Sequence, residues 1–200
     1  MLFNFQNLKS EKGQSLVEMI VAISIILTGL VGALSLTISN LKGVDEAGTR
    51  VVASNLAKEG AEVVRNFRDA NWLKNLVWDS GLFLGNDFTA IAVFKPATNK
   101  WSLDFTPNVV SDPAAKLYRS PENLYLQDVA PPAGTATLYS RIITLDPICF
   151  NAATETETIT GNPCGGGEEK IGIRVRSEVR WTISGRPRDV TLEDKIYNWR

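Results

Sequence analysis

The chain has 200 residues, 44% hydrophobic and 22% charged, and its 21 Lys and Arg nearly balance 22 Asp and Glu for a formal net charge of −1. A near-neutral total argues against nucleic-acid binding through bulk charge, which draws on a surplus of cations. Histidine is absent, which removes Ser-His-Asp and Cys-His nucleophile activation, His-ligated zinc and the usual proton shuttle near neutral pH.

The first thirteen residues, MLFNFQNLKSEKG, carry Lys9 and Lys12 against Glu11. Residues 19–38 follow with no charge at all, MIVAISIILTGLVGALSLTI. Twenty helical residues rise ~30 Å, the hydrocarbon thickness of a bilayer. The run is longer than the ~7–15 apolar residues of a secretory signal peptide, and no A-x-A cleavage pattern follows it. A membrane span is the better reading, and the weakly cationic flank places its N-terminus in the cytoplasm.

Helix-compatible sequence continues past Lys42, with no proline before Pro96. In 50–68, apolar or small residues fall at 52, 56, 60, 63 and 67, a 3-4 spacing that forms one stripe, while Lys58, Glu59, Glu62, Arg65 and Arg68 lie mostly off it. The pattern predicts one helix from about 14 to about 70, apolar all round in its first half and amphipathic in its second. Gly29, Gly32, Gly43, Gly48 and Gly60 each weaken it by ~1 kcal/mol relative to Ala. Gly29 and Gly32 would equally suit close helix approach or local melting.

After Trp72, turn residues punctuate short runs at 82–84, 89–94, 101–105, 117–119 and 123–127. Residues 137–146 form a strand candidate, and 170–184 form the clearest one: Ile171, Ile173, Val175, Val179, Trp181 and Ile183 alternate with Arg174, Arg176, Glu178 and Arg180. Ser184–Arg188 reads as a turn, with a returning strand from Val190 and Leu192. The expected fold class is α+β: a long N-terminal helix whose N-terminal half spans the membrane and whose C-terminal half packs on an antiparallel sheet.

Cys149 and Cys164 flank a Thr-, Glu- and Gly-rich excursion between two predicted strands. Two cysteines without histidine are too few for a zinc site. Beyond a membrane the expectation is a disulfide, worth ~3 kcal/mol for a closed loop of ~15 residues in the entropic account.

The densest signal is the boundary Lys12-Gly13-Gln14-Ser15-Leu16-Val17-Glu18. Glu18 heads an uncharged span, where a lone charge costs ~2.5–3.5 kcal/mol at the bilayer centre and less near the interface. No Lys or Arg lies between 13 and 41 to pair with it. The economical partner is a group from another chain or a newly made N-terminus.

On these residues the chain resembles the type IV pilins and the type II secretion pseudopilins. Their signal is a short cationic leader ending in Gly, followed by an apolar helix with Glu at its fifth mature position. The resemblance implies a leader at 1–13, a transmembrane and filament-core helix at 14–41, and an extracytoplasmic globular domain at 42–200. It implies cutting between Gly13 and Gln14 by a prepilin peptidase, N-methylation of Gln14, and pairing of Glu18 with a neighbouring subunit's N-terminal amine. Gln14 departs from the family's usual Phe, which bears on methylation more than on cleavage.

Residues 56–72, 139–145 and 179–200 look like minor pilins of the pilus-modification type, which themselves resemble pseudopilins. The implied partners are the peptidase, other pilin subunits in a helical filament, the inner-membrane assembly platform and, before assembly, membrane lipid; no cofactor is implied. The implied location is the cytoplasmic membrane, single-pass with the N-terminus inside, and then an extracellular or envelope-spanning filament.

Other functional classes find less support in the sequence. Asp104, Asp112 and Asp128 sit in loop-like surroundings without a motif and read as solvated charges rather than an acid/base pair. Gly165–Gly167 do not form a phosphate loop, and Glu168 and Glu169 beside them would repel phosphate. Arg174, Arg176 and Arg180 share a strand face interrupted by Glu178, which reads as a solvated face rather than a DNA contact. A pilus-carried adhesin or DNA-binding module would instead place function in loops 79–135 and 146–169. Trp72, Trp78, Trp101, Trp181 and Trp199 read as core or subunit-contact anchors.

Overall fold

The computed structural model describes residues 16–199, which divide into two compact units meeting between Ala47 and Gly48. Helix α1 runs Leu16–Leu73. It continues unbroken through all five of the glycines expected to weaken it. In the first unit every residue from 16 to 47 is exposed. The hydroxyls of Ser24, Thr28 and Thr37 donate to the carbonyls of Ile20, Ser24 and Ala33, at 2.8, 2.8 and 3.0 Å. These polar groups are satisfied within the helix itself, as an apolar medium requires.

The second unit begins with residues 48–73 of α1. The helix ends in a Schellman motif: Asn75 takes φ 54°, its N–H donates to the Trp72 carbonyl at 3.1 Å, and the Leu76 N–H donates to the Asn71 carbonyl at 2.9 Å. The buried Asn71 amide then donates to the carbonyls of Trp78 and Ser80 and folds the following loop back on the helix.

Eight strands follow among the described residues: β1 (Thr89–Lys95), β2 (Lys100–Asp104), β3 (Lys116–Arg119), β4 (Tyr125–Leu126), β5 (Thr135–Asn151), β6 (Thr156–Ile159), β7 (Glu168–Ile183) and β8 (Arg186–Tyr197). All pairings are antiparallel, and the long β5 is their spine. Along one edge it pairs in succession with β3, β1 and β6. Along the other it pairs with β7, which carries β8. The expected turn at 184–188 is shorter in the structure. Ser184 and Gly185 alone make it, at φ 50° and 75°, both left-handed as a two-residue hairpin demands. Arg186, Pro187 and Arg188 already belong to β8, an edge strand where proline is tolerated. The run 82–84 is not a strand; its Leu82 is a fully buried core residue.

One face of the sheet packs on α1. Ala61, Val63, Val64 and Trp72 meet Ile143, Leu145, Ile173, Val175 and Ile196 in one cluster. Ala53, Leu56 and Ala57 meet Leu117, Tyr139, Val179 and Trp181 in another. Between them Gly60 faces Ser177, the one polar residue among the buried alternate positions of β7. A Cβ at Gly60 would overlap the Ser177 side chain and stand 3.4 Å from Arg141 Cδ. Gly60 is therefore the point of close helix–sheet approach, and its absent side chain offsets its poor helix propensity. The buried stripe also extends to Arg68, expected to lie off it. Its guanidinium sits 4.6 Å from the Trp72 ring centroid, pairs with Asp69 and donates to the Tyr197 carbonyl.

On the opposite face, Ile91 and Val93 of β1 are covered by Ala114 and Ala115 of a short 3-10 turn. Farther along that face the sheet is a checkerboard of charges. Arg174 and Arg176 both bond the buried Asp146 of β5, and Arg180 bonds Glu178.

Candidate functional site

The candidate site is the head of α1. Gly13 and Gln14, the expected cleavage and methylation positions, lie outside the described residues with the rest of the leader. Glu18 is placed in the first turn of α1, exposed, with no ion pair among the described residues. An acidic side chain in the first turn sits at the end of the helix whose dipole attracts anions. No charged residue follows until Lys42. Exposed Leu, Ile and Val side chains cover the helix all round, and the helix is long and apolar enough to cross a membrane. Chemically the arrangement is one anion at the mouth of an apolar rod: suited to meeting one cation and otherwise only hydrocarbon.

The two cysteines lie in the second unit. Cys149, fully buried in β5, is bonded to Cys164 in the loop before β7, with Cα atoms 5.6 Å apart. The excursion between them is not featureless, since β6 forms within it and pairs with the end of β5. The bond closes a loop of 15 residues over the tip of the sheet. Replacing both cysteines with Ser is expected to lower stability by about 3 kcal/mol. Thermal melts of the full chain with and without reductant check this, the variant melting alike in both.

The carboxylates considered as catalytic candidates are not brought together by the fold. Asp104 accepts from the Thr106 N–H at 2.9 Å, Asp112 caps the 3-10 turn through the Ala114 N–H at 2.9 Å, and Asp128 accepts from the Val129 N–H at 2.8 Å. Asp104, expected in a loop, ends strand β2 and bonds the backbone just beyond it, whereas Asp112 and Asp128 each serve their own loop backbone. Glu168 does the same for the glycine run, accepting from the Gly165 N–H at 3.0 Å.

The residue that sequence reasoning missed is Arg141. It lies on the helix-facing side of β5, 1% exposed. Its Nε donates to Gln127 Oε1, and its Nη1 donates to the Leu56 carbonyl and Glu59 Oε1, each at 3.1 Å. Desolvation lowers its pKa, and the neighbouring Glu59 pulls the other way. Gln127 is equally buried and its amide donates to the carbonyls of Ala115 and Arg141. The network ties the central strand to the helix through polar groups. The only signal in the sequence was a lone Arg at an inward position of the alternating run 137–146.

Against known protein families, residues 8–34 match the model of the prokaryotic N-terminal methylation motif. The matched stretch holds Gly13, Gln14 and Glu18 and runs well into the uncharged helix. The chain thus carries a prepilin-type signal, and with its long apolar helix and antiparallel sheet it has a pilin-like α+β fold. The motif points to a structural subunit of the type IV pilin or pseudopilin kind, processed by a prepilin peptidase and assembled with other pilins. The apolar helix is consistent with a membrane-anchored pilin. No curated protein and no solved structure matches the chain significantly.

Proposed function

We propose that the chain is a minor pilin, an assembly subunit of a type IV pilus-like filament. It is inserted as a single span with its leader, residues 1–13, in the cytoplasm. It is trimmed after Gly13, methylated on Gln14, and drawn into a filament where helix 14–41 exchanges lipid for its neighbours' helices while 42–200 remains outside. The single observation that carries the reading is a methylation motif at 8–34 that leads directly into an exposed, uncharged helix whose first turn holds Glu18. In the filament, Glu18 pairs with a neighbour's N-terminal amine, which compensates its desolvation and sets the axial register. The resemblance of 56–72, 139–145 and 179–200 to pilus-modification minor pilins supports the subunit type.

The test is the mature N-terminus. Mass spectrometry of protein from cells with an active prepilin peptidase is expected to begin at Gln14, carrying one methyl group on its amine. An intact Met1 under those conditions overturns the reading.

A further inference from the structure

A groove of 730 Å³ opens where the end of β3, the Ser120–Leu124 turn and the start of β5 meet. Its floor holds Tyr139, which donates its hydroxyl to the Thr49 carbonyl at 3.1 Å, and the half-buried Tyr125, set edge-on with ring centroids 6.4 Å apart. Its rim is built by a tight turn. The Asn123 N–H donates to the Ser120 carbonyl at 3.0 Å, and the Leu124 N–H donates to Ser120 Oγ at 3.2 Å. Gly134, at φ 148°, lets β5 begin against the Arg119 carbonyl, where any Cβ would collide with backbone. The walls are thus held by backbone bonds, and the volume lies within the ~300–1,000 Å³ of small-molecule sites.

Three side chains on this rim, Arg119, Asn123 and Thr135, are exposed and make no hydrogen bond among the described residues. Arg65, Arg68, Arg141, Arg174, Arg176 and Arg180 each bond an acid; Arg119 shares its side chain's lack of a partner among the described residues with Arg50 and Arg186, but it alone of these three lines the groove.

We propose that this groove binds a saccharide carrying a carboxylate. The Tyr125 ring offers an apolar face to the C–H side of a sugar. The guanidinium of Arg119 presents two parallel N–H groups that match a carboxylate, and Asn123 and Thr135 supply donors and acceptors for hydroxyls. A single Arg without a helix N-terminus beside it is a poor phosphate cradle. The mixture of one ring and several small polar groups suits a ring of hydroxyls better than a peptide side chain. All the residues lie between 119 and 139, so the proposal does not rest on the assembly reading.

Calorimetric titration of the full chain in detergent micelles tests it, with trigalacturonic acid, maltotriose and triglutamate as probes. Saturable binding is expected for trigalacturonic acid alone, weakened about tenfold or more in Arg119→Ala, the loss of a charge-assisted contact. Arg119→Lys, which keeps the charge without the fork, is expected to recover only part of it. The unfolding midpoint of both variants should equal that of the parent, since the side chain is exposed. Absence of saturable binding, equal binding of maltotriose or triglutamate, or undiminished binding by Arg119→Ala overturns the proposal.

Discussion

Replacing Arg141 with Ala is expected to lower the unfolding free energy of the globular unit by about 2–5 kcal/mol, the range for truncating a large buried side chain. From β5 the guanidinium bonds two other segments at once: the helix, through the Leu56 carbonyl and Glu59, and the Gln127 side chain after β4. Its removal leaves Gln127 Oε1 buried without that donor and opens a cavity beside Gly60, where no side chain is present to relax into it. Arg141→Met separates the two costs, because it keeps the apolar stem and discards the fork. Buried ion pairs often give way to apolar residues of similar volume with little loss, and Arg141 Nη2 already lacks a partner in its buried setting. Methionine is therefore expected to cost less than half of what alanine does. Urea unfolding of the three full-length proteins in one detergent measures both values. An alanine effect below about 1 kcal/mol would show that the network contributes little.

Replacing Glu18 with Ala is expected to leave insertion and leader removal unchanged while filament entry falls by tenfold or more. The substitution makes the span more apolar, so lipid tolerates it better, whereas in the assembly proposed above a neighbour's amine would lose its counter-charge inside the helix bundle. Quantifying the subunit in sheared filaments against membranes, beside Glu18→Asp as a shorter carboxylate, reads the effect. Normal incorporation of Glu18→Ala would remove this residue from the assembly mechanism.

What could be read in the sequence follows the reach of local chemistry. The alternation at 170–184 is a period-two signal confined to one strand, and β7 covers Glu168–Ile183. The helix was legible because no proline interrupts it, and its end at Leu73 is fixed by Asn75, whose left-handed backbone has only a weak sequence signature. The full length of β5 was harder to see. Pro147 falls within it, and the strand passes that proline because its carbonyl accepts from the Thr160 N–H at 3.1 Å, which puts its missing donor on the same side, away from the ladder to β7.

At the candidate site, Glu18 stood out because a charge beside twenty uncharged residues is anomalous from composition alone. Arg141, Gly60 and Asp146 did not stand out, because their roles depend on partners that the chain supplies far away. Gly60 reads as a helix defect until Ser177 is opposite it. Asp146 reads as a strand-end charge until two arginines of β7 close on it.

The helix–sheet contacts also set when this unit can fold. Arg65 and Arg68 of α1 reach Asp194 and Tyr197 across 129 residues of sequence, and Ile196 belongs to the same apolar cluster as Ala61 and Trp72. At about 5–20 residues per second, the ribosome adds those partners ~6–26 s after the helix has been made. Until then residues 48–73 lack their β8 contacts, and such distant pairings form late and slowly. The packing of this unit is therefore complete only once its last strand has been made.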